Sequence, residues 1–401
     1  MQIGRHRVAL VAVSFLVVAF TLAGRLIGDE GQREQTYNDL ATFTEVLHLV
    51  DTSYVDQVAE NDLMAGAFRG MLASLDPHSG WLSAEETQAI LDVDPAWIDA
   101  GVETTKRGGY AFVMGVLPGG PAEKAGIEVG EYIRTIDGRT TREMSDLQVR
   151  HQLSGPANAA LHLNLFGDHE GREVDVNLIP YELKPIDATL DPGGVLVVTV
   201  RTLRPATVAA LDELLRRPPE GTAKVLLDLR NLVFGKEEDA IALADLFLED
   251  GVIVRVDERG RDERIVKAST GQVWTGELAL LVNRFSAGAA ELICAALGRN
   301  GRGEILGENT FGDASLQRLI KLPDQSALIL SVGRYLPPEG DSWHEDGLQP
   351  DVTIDTVQED DAIAAAGDEA EEATVELTPS DEQLKRAVDY LAGRLDLEKA
   401  A

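Results

Sequence analysis

The sequence predicts an α/β core on a mixed, largely parallel sheet, joined to a small β-rich domain and preceded by a helical region. Three observations carry this. From Tyr181 onward, apolar runs alternate with helical patterns: "GGVLVVTV", "PATVAALDELLRR", "AKVLLDLR", "EDAIALADLFL", "ELALLVN" and "AGAAELICAALGR". Strands alternating with helices imply crossover connections, hence a parallel sheet. Before them, residues 97–181 hold short β-like runs between glycine-rich turns, the pattern of a compact β domain. Earlier still, Leu40, Phe43, Val46, Leu47 and Val50 recur at helical spacing, and "NDLMAGAFRGMLASL" follows as a second helix ending at Asp76-Pro77.

Taken in order, residues 1–30 open with the basic "MQIGRHR" and continue with "VALVAVSFLVVAFTLAG", uncharged before Arg25. A basic segment ahead of an apolar run marks a secretory signal or a membrane anchor. Thr21-Leu22-Ala23 is a weak cleavage site, which tips the reading toward an anchor. Either reading puts the remainder outside the cytoplasm, in a bacterial cell envelope: periplasmic, or on the extracytoplasmic face of the inner membrane. Residues 31–96 form the helical region. Within 97–181, Tyr110 to Val116 and Tyr132 to Ile136 read as strands, Ala122 to Ala125 as a short helix, and "ALHLNLF" and "EVDVNLI" as strands around "GDHEG". Residues 182–356 make the α/β core, closed by a hairpin in "RLIKLPDQSALILSVGRYLPP". Residues 357–376 read as an acidic linker and 377–401 as a final amphipathic helix. Its expected N-cap is Ser380, and its docking face is Leu384, Ala387, Val388 and Leu391.

A length of 401 residues with 44% hydrophobic content provides for two or three domains. The net charge of −32 excludes nucleic acid as a partner, because phosphate contacts need clustered Lys and Arg. The single Cys294 excludes an intrachain disulfide framework and reads as a buried, inert thiol. No metal and no cofactor are expected.

Several segments together resemble the carboxy-terminal processing peptidases, or tail-specific proteases, which are Ser–Lys serine peptidases with an embedded PDZ domain. They are "YVD" at 54, "SLDPHSGWLSAEE" at 74, "GGPAEKAGIEVGEYIRTIDGRTT" at 119, "VLLDLRN" at 225, "AIALADLFLEDGVIV" at 240, "GENTFGDASLQ" at 307 and "DGLQPDV" at 346. They stand in the family's order from residue 40 to 355. The resemblance implies that 97–181 is a PDZ domain and that the core is of the tail-specific-protease type. In the family a serine hydroxyl attacks the scissile carbonyl and a neutral lysine, 25 residues on, acts as base. Here "NRFSAGAAELICAAL" puts Gly288 at the nucleophile position, and Thr310-Phe311-Gly312-Asp313 puts Asp313 at the base position, followed by Gln317. The loop that serves the oxyanion pocket reads Asn231-Leu232-Val233-Phe234-Gly235, with Phe234 in place of a glycine. The resemblance therefore implies a catalytically degenerate member. Ser286 is the fallback nucleophile, with no Lys or His adjacent to it in sequence; Lys321 lies eight residues past Asp313 on an expected strand, and His344 falls in what the resemblance makes an ordinary late loop. A new acid–base site from Asp313, Glu291 and Glu308 is a further alternative.

The family's carboxylate-binding loop falls on Asp99-Ala100-Gly101-Val102. Backbone N–H groups there would capture a peptide terminus, but Asp99 brings a negative charge to the same place unless Lys106 or Arg107 compensates. Three function classes follow. One is an exported pseudo-peptidase that binds protein C-terminal tails, an envelope protein or a peptidase partner as scaffold or regulator, tied to the membrane through its N-terminal segment. The second is an active serine peptidase using Ser286. The third is a small-ligand carrier, as in the vertebrate retinoid-binding relatives of this core.

Overall fold

The computed structural model describes residues 35, 37–167, 171–233, 235–269, 271–355 and 379–397. The apolar run expected as a signal or anchor, the acidic linker and Phe234 lie outside the described residues. Among the described residues no helix is long and apolar enough to cross a membrane. The chain divides into two compact units, residues 1–70 and 71–401.

The first unit is helical over 37–53 and again from the start of the helix Glu60–Ala73. Leu40, Phe43 and Val46, the periodic apolar face of the first helix, are exposed.

Among the described residues, the second unit contains three sheets of five or more strands. The central one orders Asp187–Leu190, Val195–Thr199, Lys224–Asp228, Glu277–Val282, Glu304–Gly307 and Val352–Thr353; the first pair is antiparallel and every later pair parallel. The strands are apolar on both faces because both faces are covered. Val225, Leu227, Leu278, Leu280 and Val282 pack with the helices Pro205–Arg216, Glu237–Asp245 and Ala289–Arg299. Leu226, Ala279 and Leu281 point the other way, onto Ala387, Val388 and Leu391 of the C-terminal helix. That helix runs Pro379–Leu391, so Ser380 lies inside it and not at its cap.

A buried bidentate pair locks this helix to the sheet. Arg230 Nε and Nη2 donate to Asp228 Oδ1 and Oδ2 at 2.7 and 2.8 Å. Arg230 Nη1 also donates to Gln383, whose amide in turn donates to Ile354 O at 2.8 Å.

The second sheet is antiparallel. The expected hairpin, Ser315–Lys321 with Ala327–Leu336, is present, and the latter strand also pairs with Gly80–Leu82 and Val252–Glu258. The strand Gly80–Leu82 carries no sequence signal of its own. It brings the segment "SLDPHSGW" onto the core.

The β-rich domain is an antiparallel sheet of Val102–Arg107, Tyr110–Val116, Tyr132–Ile136, Ala160–Phe166 and Arg172–Asn177, with Arg139–Thr140 paired to Tyr132–Ile136. Its inner face holds Val113, Ile133, Leu163 and Val176. The helix Asp146–Gln152, which sequence periodicity did not signal, opens with a capping box between Ser145 and Gln148. The domain sits close on the core: a Cβ on Gly115 would come within 2.8 Å of Asn231 O, so only glycine permits this approach.

Candidate functional site

The strand Glu277–Val282 ends in a turn that leads straight into the helix Ala289–Arg299, with Gly288 as the residue before its first turn. Gly288 has φ +52° and ψ −103°, a sharp strand-to-helix turn of the kind that presents nucleophiles. The turn is over-determined by its neighbours. Asn283 Nδ2 donates to Asn231 Oδ1 at 2.8 Å, Ala287 N to Leu232 O at 3.0 Å and Phe311 N to Ser286 O at 3.0 Å.

Glu291 is the hub beneath the turn. It is fully buried. Its Oε2 accepts from Gly288 N and Asp313 N at 2.9 and 2.8 Å, its Oε1 from Gly312 N and Thr310 Oγ1 at 2.7 and 2.5 Å. Burial pushes its carboxyl up to about 7, against the hydrogen bonds that favour its charged form. Both of its oxygens are thus engaged in tying the turn at Gly288 to the loop carrying Asp313. Glu308 accepts from Arg284 N at 3.3 Å.

Ser286 lies in the same turn. It is fully buried, its Oγ donates to Leu229 O at 3.0 Å, and it accepts from Asn283 N at 3.1 Å. The hydroxyl staples the turn and does not face a cleft. Cys294 is buried in the helix, and burial pushes its thiol pKa up.

At the base position, Asp313 meets a histidine that sequence spacing did not connect to it. Asp313 Oδ1 lies 3.7 Å from His78 Nε2, and His78 Nδ1 lies 2.8 Å from Asp146 Oδ2. Burial opposes a charge on His78, but the Asp146 hydrogen bond and the charges of Asp313, Asp146 and Asp76 outweigh it and raise the imidazole to about 9. The result is a carboxylate–imidazolium–carboxylate bridge from the "SLDPHSGW" segment to the β-rich domain and the core. His78, Asp146, Asp313, Ala287 and Gln317 line one cavity of about 170 Å³.

In the loop that the resemblance assigns to the oxyanion pocket, the Val233 carbonyl lies close to Gly288. A Cβ on Gly288 would lie 3.1 Å from Val233 O. Val233 N meanwhile donates to Glu103 Oε2, at 3.1 Å, in the β-rich domain. Gly235 is held to glycine by packing: a Cβ there would come within 2.7 Å of Leu203 and 3.0 Å of Ala289.

The loop Asp99-Ala100-Gly101-Val102 closes on its own chain. Asp99 Oδ1 accepts from Gly101 N at 2.6 Å, Ala100 N donates to Leu153 O at 2.8 Å, and Val102 opens the strand paired with Val116. Lys106 is also committed, its Nζ donating to Thr141 O and Met144 O at 2.8 and 2.7 Å.

Comparison with known proteins follows the same layout. The profile of peptidase family S41 matches residues 194–354, that of the PDZ domain 112–163, and that of the activating protease CtpB N-terminal domain 23–86. A carboxy-terminal-processing protease of Bartonella bacilliformis is 29% identical over 362 residues, covering 88% of this chain and 83% of that protein. A probable CtpA-like serine protease of Staphylococcus aureus is 27% identical over 353 residues, covering 86% and 71%. Among solved structures, the photosystem II D1 C-terminal processing protease aligns with a TM-score of 0.65 and 28% identity, covering 78% of this chain and 92% of that one.

Proposed function

We propose that this chain, which matches the profiles of peptidase family S41, the PDZ domain and the CtpB N-terminal domain, works by binding and not by cleavage. The observation that carries the proposal is Gly288. It occupies the apex of the turn where the family presents its serine and has no atom with which to attack. Three further features support it. Asp313, at the lysine position, faces His78 as an ion-pair partner. Val233 O would crowd any side chain at Gly288, at 3.1 Å from its Cβ. Ser286 is buried and bonded to Leu229 O.

On this reading the protein stands in the bacterial cell envelope, held to the membrane by its N-terminal segment, and engages polypeptide tails, an envelope protein or a peptidase as scaffold or regulator. The self-bonded loop at Asp99 favours recognition of a polypeptide surface over capture of a free carboxylate. The small-ligand alternative is not favoured at the Gly288 turn, where the adjoining cavity is about 170 Å³ and is lined by the charged His78, Asp146 and Asp313. The test is labelling of the purified full-length chain with a serine-directed fluorophosphonate. No adduct is expected; an adduct on any serine lining the cleft would overturn the reading.

A further inference from the structure

The outer face of the PDZ sheet carries a continuous ladder of aromatic rings. Tyr110 meets Phe166 edge-on at 5.3 Å between centroids, Phe166 stacks on Tyr132 at 5.0 Å, Tyr132 meets Phe112 at 4.8 Å, and Phe112 meets Phe285 of the core at 6.1 Å. Four of the five rings carry an arginine on their face. Arg142 lies over Tyr110, Arg134 over Phe166, Arg107 over Phe112 and Arg284 over Phe285, with guanidinium carbons 4.9–5.5 Å from the centroids.

Strand alternation places the ladder. Ala111 and Val113 turn into the PDZ core, which sends Tyr110 and Phe112 to the opposite face, and Ile133 does the same for Tyr132 and Arg134. Phe112 joins Met114, Val233 and Ala287 in an apolar cluster at the PDZ–core contact. The ladder thus runs from solvent to Phe285, three residues before Gly288.

The charge arrangement is unusual for this chain. There are 68 acidic residues against 36 basic ones, so an exposed arginine has many carboxylates to choose from. Yet all four ladder arginines are exposed, and among the described residues none of them is in an ion pair. A guanidinium lying on a ring is held flat and pre-oriented, while its N–H edge stays open to a carboxylate. Arginine edges alternating with aromatic faces fit a ligand that alternates carboxylates with apolar side chains.

We infer that this ladder is a docking surface for an acidic polypeptide segment carrying apolar side chains between its carboxylates. Charge complementarity selects that partner. The protein as a whole, at −32, repels such a ligand at long range, so recognition depends on short-range pairing with the arginines and is sensitive to salt. The inference deepens the binding reading above, and rests on it for the partner remaining uncleaved.

The test uses the full-length chain in non-ionic detergent and a fluorescein-labelled dodecapeptide of alternating Glu and Phe, read by fluorescence anisotropy at about 50 and about 300 mM salt. Saturable binding that weakens with salt is expected. R134Q/R142Q, both at exposed sites, should weaken it by about tenfold or more with an unchanged melting temperature, and R134K/R142K should restore only part of it. The inference is overturned by absence of binding, by equal binding of an alternating Lys–Phe peptide, or by an unaltered double variant. It is also overturned if the peptide does not bind while phosphatidylglycerol vesicles are preferred over phosphatidylcholine ones in an R134Q/R142Q-sensitive way, which would assign the ladder to lipid. Cleavage of the bound peptide would leave the surface standing and remove the non-proteolytic reading; loss of binding without cleavage does the reverse.

Discussion

Gly288 is the position on which the proposed binding role turns. Its φ of +52° costs a glycine little but strains any residue with a Cβ, and the added atom would meet Val233 O at 3.1 Å. Gly288→Ser should therefore stay inactive and lower stability by about 1–2 kcal/mol in chemical denaturation. Any recovered cleavage should require Asp313→Lys as well, since a hydroxyl alone lacks a base. Robust cleavage by the single variant would contradict this account of the base position. The 25-residue interval from Gly288 to Asp313 was legible because both segments keep their flanking residues. His78 was not: its neighbours Asp146 and Asp313 come from distant segments, and nothing local in "SLDPHSGW" names either. The burial of Ser286 and Glu291 was equally hidden, because a polar residue in a turn reads as exposed until its partners are known.

At the scale of elements, the core strands were legible because covering both faces of a parallel sheet demands near-continuous apolar runs, as in "VLLDLR" and "ELALLV". Gly80–Leu82 and the helix Asp146–Gln152 were missed because three residues carry no periodicity and two turns carry little. Two buried polar joints hold the elements in place. Replacing Glu291 by Ala strands four donors of the turn and the Asp313 loop, and should destabilise the chain by about 3–5 kcal/mol. Replacing Arg230 by Ala leaves the buried Asp228 with only the Arg201 guanidinium, at 3.9 Å, and should cost about 3–5 kcal/mol, with the C-terminal helix the first element to lose amide-exchange protection. A loss under about 1 kcal/mol in either case would show that the joint is not a stability determinant.

Across the larger unit, His78 joins three parts that the sequence presents as separate segments: the run before the PDZ domain, Asp146 within it and Asp313 in the core. Its imidazole is raised from 6.5 to about 9. The stabilisation it contributes is complete below about pH 6.5 and disappears as pH rises through about 9, in total on the order of 3 kcal/mol. Melting temperatures should thus fall between pH 7 and pH 10 by more in the native chain than in His78→Gln, and parallel pH profiles would refute the bridge. On the proposed reading, the architecture as a whole keeps the turn, helix and PDZ contact of the S41 peptidases and uses them for binding. The most direct measurement is intact-mass analysis of an unfolded polypeptide such as reduced casein, incubated with the full-length chain. The account predicts that the substrate mass stays unchanged; accumulation of fragments that depends on this chain would contradict it.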